Sequence, residues 1–291
     1  MAQAEILSGK ALVDAAIADV GEIATLPEVT VKIIQIVENP KSTARDLHEV
    51  IKNDPALSAR ILKVVNSAFY GLPGQISSID RAIVLLGLSA VKNIAIAASM
   101  THLFNSGPAI EGFTGSDVWK HSIAMGVTAR LLSAAQGRPA VEESFLAGII
   151  ADLGLLVSRQ VFPKQLAEVI AEFNARGGEF CEVENRVIGA DHQAFGAALA
   201  AKWRFPQVLC TTIGYHHKPQ GLAAAHRELP SLVCVADMLV STAQIGFCTY
   251  PADVQPPQEF LDAIKLTPEK VQAVLDQLPE QVAAVENIFS S

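Results

Sequence analysis

The run Phe145-Leu-Ala-Gly-Ile-Ile-Ala-Asp-Leu-Gly-Leu-Leu-Val157 decides the architecture, because it is apolar throughout except for one carboxylate, Asp152. It is shorter than the roughly 20 residues that a bilayer-crossing helix needs, so it reads as a helix buried in a protein core. A carboxylate there is costly unless it is paired, hydrogen-bonded or bound to a metal. Asp152 is therefore the residue that the rest of the chain has to explain. A helix-to-helix hydrogen bond accounts for it as well as a ligand role does.

The flanking sequence is punctuated as helices. Asp54-Pro55 places a capping carboxylate before a proline at a first helical position, and Leu57, Ile61, Val64, Val65 and Ala68 follow at helical spacing until Gly71 and Pro73. Thr43-x-x-Asp46 resembles a capping box with a shorter acid. Ser78 is expected to open a helix through Leu86, Ser89 another to about Met100, and Ser116 a third from Asp117 to about Ala135. One helix is expected over Pro139 to Val157 and one over Pro163 to Ala175, stopped by Gly177-Gly178. Others are expected over 180–189, 192–203, 206–217 and 230–245. Alternating strand patterns are nearly absent, so the fold class is all-α.

The Gly, Pro, Ser, Asn and Thr gathered over Asn105 to Gly115 mark a boundary between two helical modules. The expected division is an N-terminal helix over 1–22, a helical module over 23–105, a second over 116–247, and a helical extension over 257–291. The extension follows a proline-rich stretch, Tyr250 to Pro257. Within it Val271, Leu275, Leu278, Val282, Val285 and Phe289 alternate by four and three, which suits a coiled coil or a helix lying back on the core. Pro279 interrupts the seam and favours the second reading.

Half of the 291 residues are apolar, 18% are charged and the formal net charge is −8. That balance argues against nucleic acid as a bulk electrostatic partner, since phosphate binding needs a basic face. Residues Met1 to Glu22 carry Glu5, Lys10, Asp14 and Asp19 and lack the basic start and apolar centre of a signal peptide. Cys181, Cys210, Cys234 and Cys248 show no C-x-x-C pairing and lie mostly among apolar neighbours, as reduced core thiols do. A cytoplasmic protein without a membrane partner is expected.

Histidines and aspartates recur in or at the ends of the apolar helices: His121, Ala151-Asp152, His192, His216-His217 and Asp237. Imidazole nitrogen and carboxylate oxygen on rigid helices are what a divalent transition metal asks for. Each residue also has a plain explanation. Asp191 caps the helix that His192 begins, and a paired histidine at a helix C-terminus is favoured by the macrodipole. His121 and Asp237 are weak evidence alone, and His48, His102 and His226 fit no pattern. The spacing of the set is more specific than any member. Where an adjacent His-Asp pair would anchor two metals, this chain has Ala151 beside Asp152, and a methyl group offers no lone pair.

The order His, His-Asp, His, His-His, Asp on successive helices resembles the HD and HD-GYP phosphohydrolases. Two departures point to their non-catalytic relatives, the HDOD signalling proteins. Ala151 replaces the histidine of the doublet, and after His217 the chain reads Lys-Pro-Gln-Gly-Leu-Ala-Ala-Ala in place of Gly-Tyr-Pro. Leu26-Pro27, Ile51-x-x-Asp54-Pro55-x-Leu57, Val65-Asn66-Ser67-Ala68-Phe69-Tyr70, Ile76-x-Ser78-Ile79 and Ala82-Ile83-x-x-Leu86-Gly87 resemble the HDOD signature, as does Trp203-x-Phe205-Pro206 followed by His216-His217. The resemblance covers roughly Ile23 to Ile245.

It implies an HD-like helical bundle preceded by an N-terminal helical module, with one metal position drawn from Asp152, His192, His216 and His217. A second, short of its missing histidine, would use His121, Asp152 and Asp237. Two-metal hydrolysis of a phosphodiester needs both ions, so the expectation is weak or no hydrolysis and room for a single Fe, Zn, Ni or Mn ion. The leading reading is a bacterial signal-transduction output or adaptor domain that acts by binding. Its partners would be a histidine kinase, a response regulator or a nucleotide-signalling enzyme, with self-association left open. Val65 to Gly71 is a candidate partner surface, unless Asn66 and Ser67 only finish a helix end. The other readings are a metal-dependent phosphohydrolase on nucleotides or cyclic nucleotides, and a small-ligand sensor using the same cavity.

Overall fold

The computed structural model describes residues 9–21, 26–39, 41–137 and 141–289. Their ordered structure is helical, as the sequence pattern requires, and apart from one isolated bridge between Ile110 and Phe113 they contain no strand pairing. Glu5 of the expected first helix lies outside the described residues.

Local chemistry sets the helices of the first half. α1 (Lys10–Asp19) precedes α2 (Glu28–Glu38). α3 (Ala44–Ile51) opens on a complete capping box, with Thr43 Oγ1 accepting from the Asp46 amide and the Asp46 carboxylate accepting from the Thr43 amide at 2.7 Å. α4 (Pro55–Val65) begins with Asp54 accepting from the Leu57 amide at 2.9 Å. Ser78 caps α5 (Ile79–Leu86). α6 (Leu88–Asn105) starts one residue ahead of Ser89, because Gly87 at φ 88° both ends α5 and begins α6. A side chain would strain that left-handed backbone, so the glycine sets the boundary and the serine does not.

The segment Val65 to Gly71 is tied down by its own side chains. Asn66 Nδ2 donates to the Leu62 and Ile76 carbonyls, and its Oδ1 accepts from the Ile76 amide at 2.7 Å. Phe69 and Tyr70 are buried. Asn66 and Ser67 thus finish the end of α4, the alternative that the sequence allowed for this segment, and Phe69 and Tyr70 build a joint, while Asn66, Ala68 and Gly71 stay exposed. At the joint Tyr70 donates to Glu142 at 3.0 Å and Arg130 Nε donates to the same carboxylate at 2.9 Å. The Arg130 guanidinium also lies 4.4 Å and 4.8 Å from the Phe69 and Tyr70 ring centres.

In the second half α7 (Gly115–Ala135) is capped by Thr114 in place of Ser116, with Thr114 Oγ1 accepting from the Asp117 amide at 3.0 Å. The single helix expected over 139–157 is two, α8 (Val141–Ile150) and α9 (Leu153–Val161), broken at Ala151-Asp152; Pro139 lies outside the described residues. Glu142–Val161 is long and apolar enough to cross a membrane by length and composition, but 89% of its apolar window is buried within the bundle. α10 (Pro163–Arg176) is stopped by Gly177, and α11 (Phe180–Val187), α12 (His192–Lys202) and α13 (Gln207–Tyr215) follow. Two 3₁₀ turns, Pro219–Gly221 and Ala224–His226, lead into α14 (Glu228–Thr242), and α15 (Gln258–Ala263) and α16 (Pro268–Phe289) end the fold.

One contiguous apolar cluster runs from Val13 through Leu103 and Phe145 to Val285, so the segments on either side of 105–115 share a core. α16 lies against α7 and α4 with Leu278, Val282 and Val285 buried and Pro279 inside the helix. The extension is therefore a packed-back helix.

Candidate metal centre

Asp152 occupies the N-cap position of α9, yet its side chain caps nothing and turns into the bundle. The helix break explains why. It redirects the chain so that Gly154, two residues on, meets the start of α12 backbone to backbone: a Cβ at Gly154 would lie 1.8 Å from the His192 carbonyl oxygen. His192 begins α12 behind the Asp191 cap, His216 and His217 end α13, His121 lies in the second turn of α7, and Asp237 is mid-way along α14. The structure brings all six of these sequence-selected residues into one buried cluster.

The donors facing Asp152 converge closely. Asp152 Oδ1 is 3.4 Å from His216 Nε2 and 3.5 Å from His192 Nε2. His192 Nε2 is 3.4 Å from His216 Nε2 and 3.0 Å from His217 Nε2. Ligand atoms of Asp152, His192, His216 and His217 all lie within 4.8 Å of one another. A tetrahedral ion with bonds near 2.0–2.1 Å has donor–donor edges of about 3.4 Å, so the spacing fits a metal with imidazole and carboxylate ligands.

Protons alone satisfy this arrangement poorly. His216 Nδ1 donates to the Ile213 carbonyl at 2.8 Å and His192 Nδ1 to Glu184 Oε2 at 2.6 Å, which turns the Nε2 of each ring toward the other and toward the Asp152 carboxylate. Both Asp152 oxygens are buried and accept no hydrogen bond, the imidazoles at 3.4–3.6 Å being too distant. Burial would raise the Asp152 carboxyl; His216, His121 and His192 outweigh it and hold the group well below the usual range. Burial first, then the neighbouring imidazoles, push His217 well below an ordinary histidine. A buried carboxylate without a hydrogen bond, ringed by imidazoles whose Nε2 atoms converge on it, is an arrangement that a divalent cation completes once the His192 proton is displaced.

His121 and Asp237 are arranged differently. His121 Nε2 is 3.0 Å from Asp237 Oδ1 and 3.6 Å from Asp152 Oδ2, and its Nδ1 donates to the Ile245 carbonyl at 3.1 Å. Burial would depress His121, but Asp237, Cys248 and Asp152 raise it well above the usual value, so the two residues form an imidazolium–carboxylate pair. Thr249 also donates to Asp237, at 3.2 Å. Among the described residues, neither candidate metal group includes His121 or Asp237. Next to Asp152, where a further ligand would be needed, stands the buried methyl of Ala151.

Sequence reasoning missed two residues of the centre. Glu184 on α11 is fully buried and holds both the ring and the backbone amide of His192, at 2.6 Å and 3.1 Å. Its signal was present: an acid four residues after buried Phe180, on the inner face of α11. Tyr250, in the proline-rich stretch, lies 2.9 Å from His217 Nδ1 through its hydroxyl, and no periodicity could place it.

A carboxylate behind a ligating histidine fixes its ring and raises its basicity. Glu184→Gln is expected to lower Zn²⁺ affinity roughly 10–100-fold while the fold persists, read by competition with a chromophoric chelator. Unchanged affinity would mean that His192 is no ligand. Burial alone would lower His192, but the Glu184 carboxylate outweighs it and raises the ring to about 9. Since Glu184 holds Nδ1, the proton that a metal must displace is on Nε2. Apparent affinity is therefore expected to climb about tenfold per pH unit from neutrality to about 9 and then level off. The same titration, repeated across pH, checks it; a flat profile contradicts it. In metal-free protein the raised value stabilises the fold below the ordinary 6.5, and that contribution is lost as pH rises through about 9.

Comparison with known proteins gives a consistent picture. Residues 23–219 match the family of the HDOD domain. Among solved structures, an HDOD domain protein from Geobacter sulfurreducens is 24% identical with a TM-score of 0.82, covering 96% of this chain and 97% of that one. A protein from Marinobacter aquaeolei, provisionally named for signal transduction, is 23% identical with a TM-score of 0.78, covering 97% of this chain and 66% of that one. A protein from Shewanella amazonensis, provisionally named a phosphohydrolase, is 25% identical with a TM-score of 0.72, covering 94% and 98%. An uncharacterised protein of Treponema pallidum is 28% identical over 231 residues, 78% of this chain. The chain spans 44% of that relative's length.

Proposed function

This chain belongs to the HDOD family, and from that premise we propose that it is a signalling adaptor or output module that works by binding a partner protein, with its His–Asp cluster serving as an internal metal clamp rather than a catalytic centre. The observation that carries the reading is the closure of the cluster. Asp152 and His121 are 1% exposed, His192, His216 and Asp237 are 0%, and the His217 side chain is 7%. Structural metal sites are closed in this way, whereas catalytic ones keep a position open to water and substrate.

Asp152, His192, His216 and His217 would hold one Fe, Zn, Ni or Mn ion. Bound there, it would supply positive charge to the orphaned carboxylate and cross-link the starts of α9 and α12 to the end of α13. The chain's own residues complete the clamp. Glu184 and the Ile213 carbonyl orient two of the rings, and Tyr250 closes over the third. A histidine kinase, a response regulator or a nucleotide-signalling enzyme fits the role of partner, in keeping with the signalling name carried by the Marinobacter protein.

The second reading is a metal-dependent phosphohydrolase acting on nucleotides or cyclic nucleotides. The intact four-donor set favours it, as does likeness to the Shewanella protein. One experiment separates the two. Protein purified without chelator is expected to carry about one equivalent of a transition metal. With added Mn²⁺ or Fe²⁺ it is expected to give no turnover of cyclic-di-GMP, cyclic nucleotides or an aryl phosphodiester. Less than about a tenth of an equivalent would end the clamp reading. Turnover that disappears in Asp152→Ala would establish the hydrolase.

A further inference from the structure

Three of the helices that deliver the cluster, α7, α13 and α14, also reach a separate cavity of about 610 Å³. It is lined by the end of α7, the starts of α8, α13 and α14, and the turns before α14. Along α14, Glu228 at the cavity is nine residues from Asp237 at the cluster, roughly 13 Å at the helical rise. The volume is that of a small-molecule site, and the walls mix apolar surface from Val208 and Leu232 with a convergent polar set.

Much of that polar set lacks partners among the described residues. Ser133 and Ser144 line the cavity at 2% and 4% exposure, and no hydrogen bond among the described residues engages either hydroxyl. Gln136 donates through Nε2 to the Ile264 carbonyl, which fixes its orientation, while its buried Oε1 accepts nothing. Glu143 has no ionic partner among the described residues, and burial alone raises its carboxyl. No lysine or arginine is among the described lining residues. Arg130 is engaged by Glu142, and Arg227 by the Leu222 and Gln220 carbonyls. Two unengaged hydroxyls and a carboxylate without an ionic partner, lining one cavity with no described lysine or arginine, suit a ligand that donates hydrogen bonds and carries positive charge.

We propose that this cavity binds a small organic cation, an amine or amidine with an apolar body, whose charged head meets Glu143 while the Ser133 and Ser144 hydroxyls complete its hydrogen bonds. The site is independent of the metal reading, since it shares no residue with the cluster.

Benzamidine is the probe, with benzoate as its anionic counterpart, both titrated calorimetrically into the full chain. Benzamidine is expected to bind saturably with a Kd below about 1 mM, and benzoate not to saturate by about 10 mM. Glu143→Gln, which removes charge at an exposed position and leaves the fold alone, is expected to weaken benzamidine at least about fivefold. Ser144→Leu, which fills the cavity, is expected to abolish binding. Chelator-treated protein should bind benzamidine as untreated protein does, which keeps this test distinct from that of the metal clamp. The proposal is overturned if benzoate binds as tightly as benzamidine, if neither substitution changes the titration, or if benzamidine does not saturate.

Discussion

Gly154→Ala is expected to destabilise the protein by about 4 kcal/mol or more and to lower its thermal midpoint by roughly 10 °C. The new methyl would lie 1.8 Å from the His192 carbonyl oxygen and 2.8 Å from the Gly196 amide, both on the backbone of α12. Neither atom can rotate away, so α9 and α12 must separate by at least ~1 Å, carrying Asp152 and His192 apart. Helix propensity works in the opposite direction, favouring alanine by about 1 kcal/mol, so the observed loss understates the clash. Gly214→Ala is the control: its Cβ would meet only the Ala197 methyl, at 3.3 Å, and the variant should stay within about 1 kcal/mol of the parent. Thermal unfolding with and without chelator checks both. A Gly154→Ala protein as stable as the Gly214→Ala control would mean that the helix contact described above is wrong.

Asp152→Ala carries the second large effect. Four ligands sharing the roughly 10–16 kcal/mol typical of a structural site contribute about 3 kcal/mol each, so losing one should weaken metal binding by about 100-fold or more. Metal-free protein should suffer as well. His121 and His192 would face a hole where Asp152 stood 3.6 Å and 3.5 Å away, and removing one partner of a buried ionic set costs about 3–5 kcal/mol. Asp152→Asn keeps the shape and should match Ala in metal loss while costing less stability. Chelator competition and denaturant unfolding read the two quantities separately. Wild-type affinity in Asp152→Ala would remove this carboxylate from the ligand set.

What the sequence disclosed depended on how local the cause was. The caps at Thr43, Asp54, Ser78 and Asp191 were legible because a side chain and an amide three residues away settle each of them. Ser89 and Ser116 misled because Gly87 and Thr114 lie just upstream and take the boundary first. The break at Ala151-Asp152 was hidden, since what fixes it is the approach of α12, about 40 residues later. His121, Asp152, His192, the His216-His217 doublet and Asp237 could be selected from spacing and resemblance. That His121 and Asp237 pair with each other, apart from the four-donor group, needed the distances.

The Tyr70–Glu142–Arg130 joint limits how a message can pass through this molecule. With that carboxylate held from both sides and an apolar cluster shared beneath it, the front and rear halves pack against each other at this point. If the chain is the binding module proposed above, it would convey its state by the surfaces it offers to a docked protein and by helix shifts of about an ångström, not by opening and closing like a jaw.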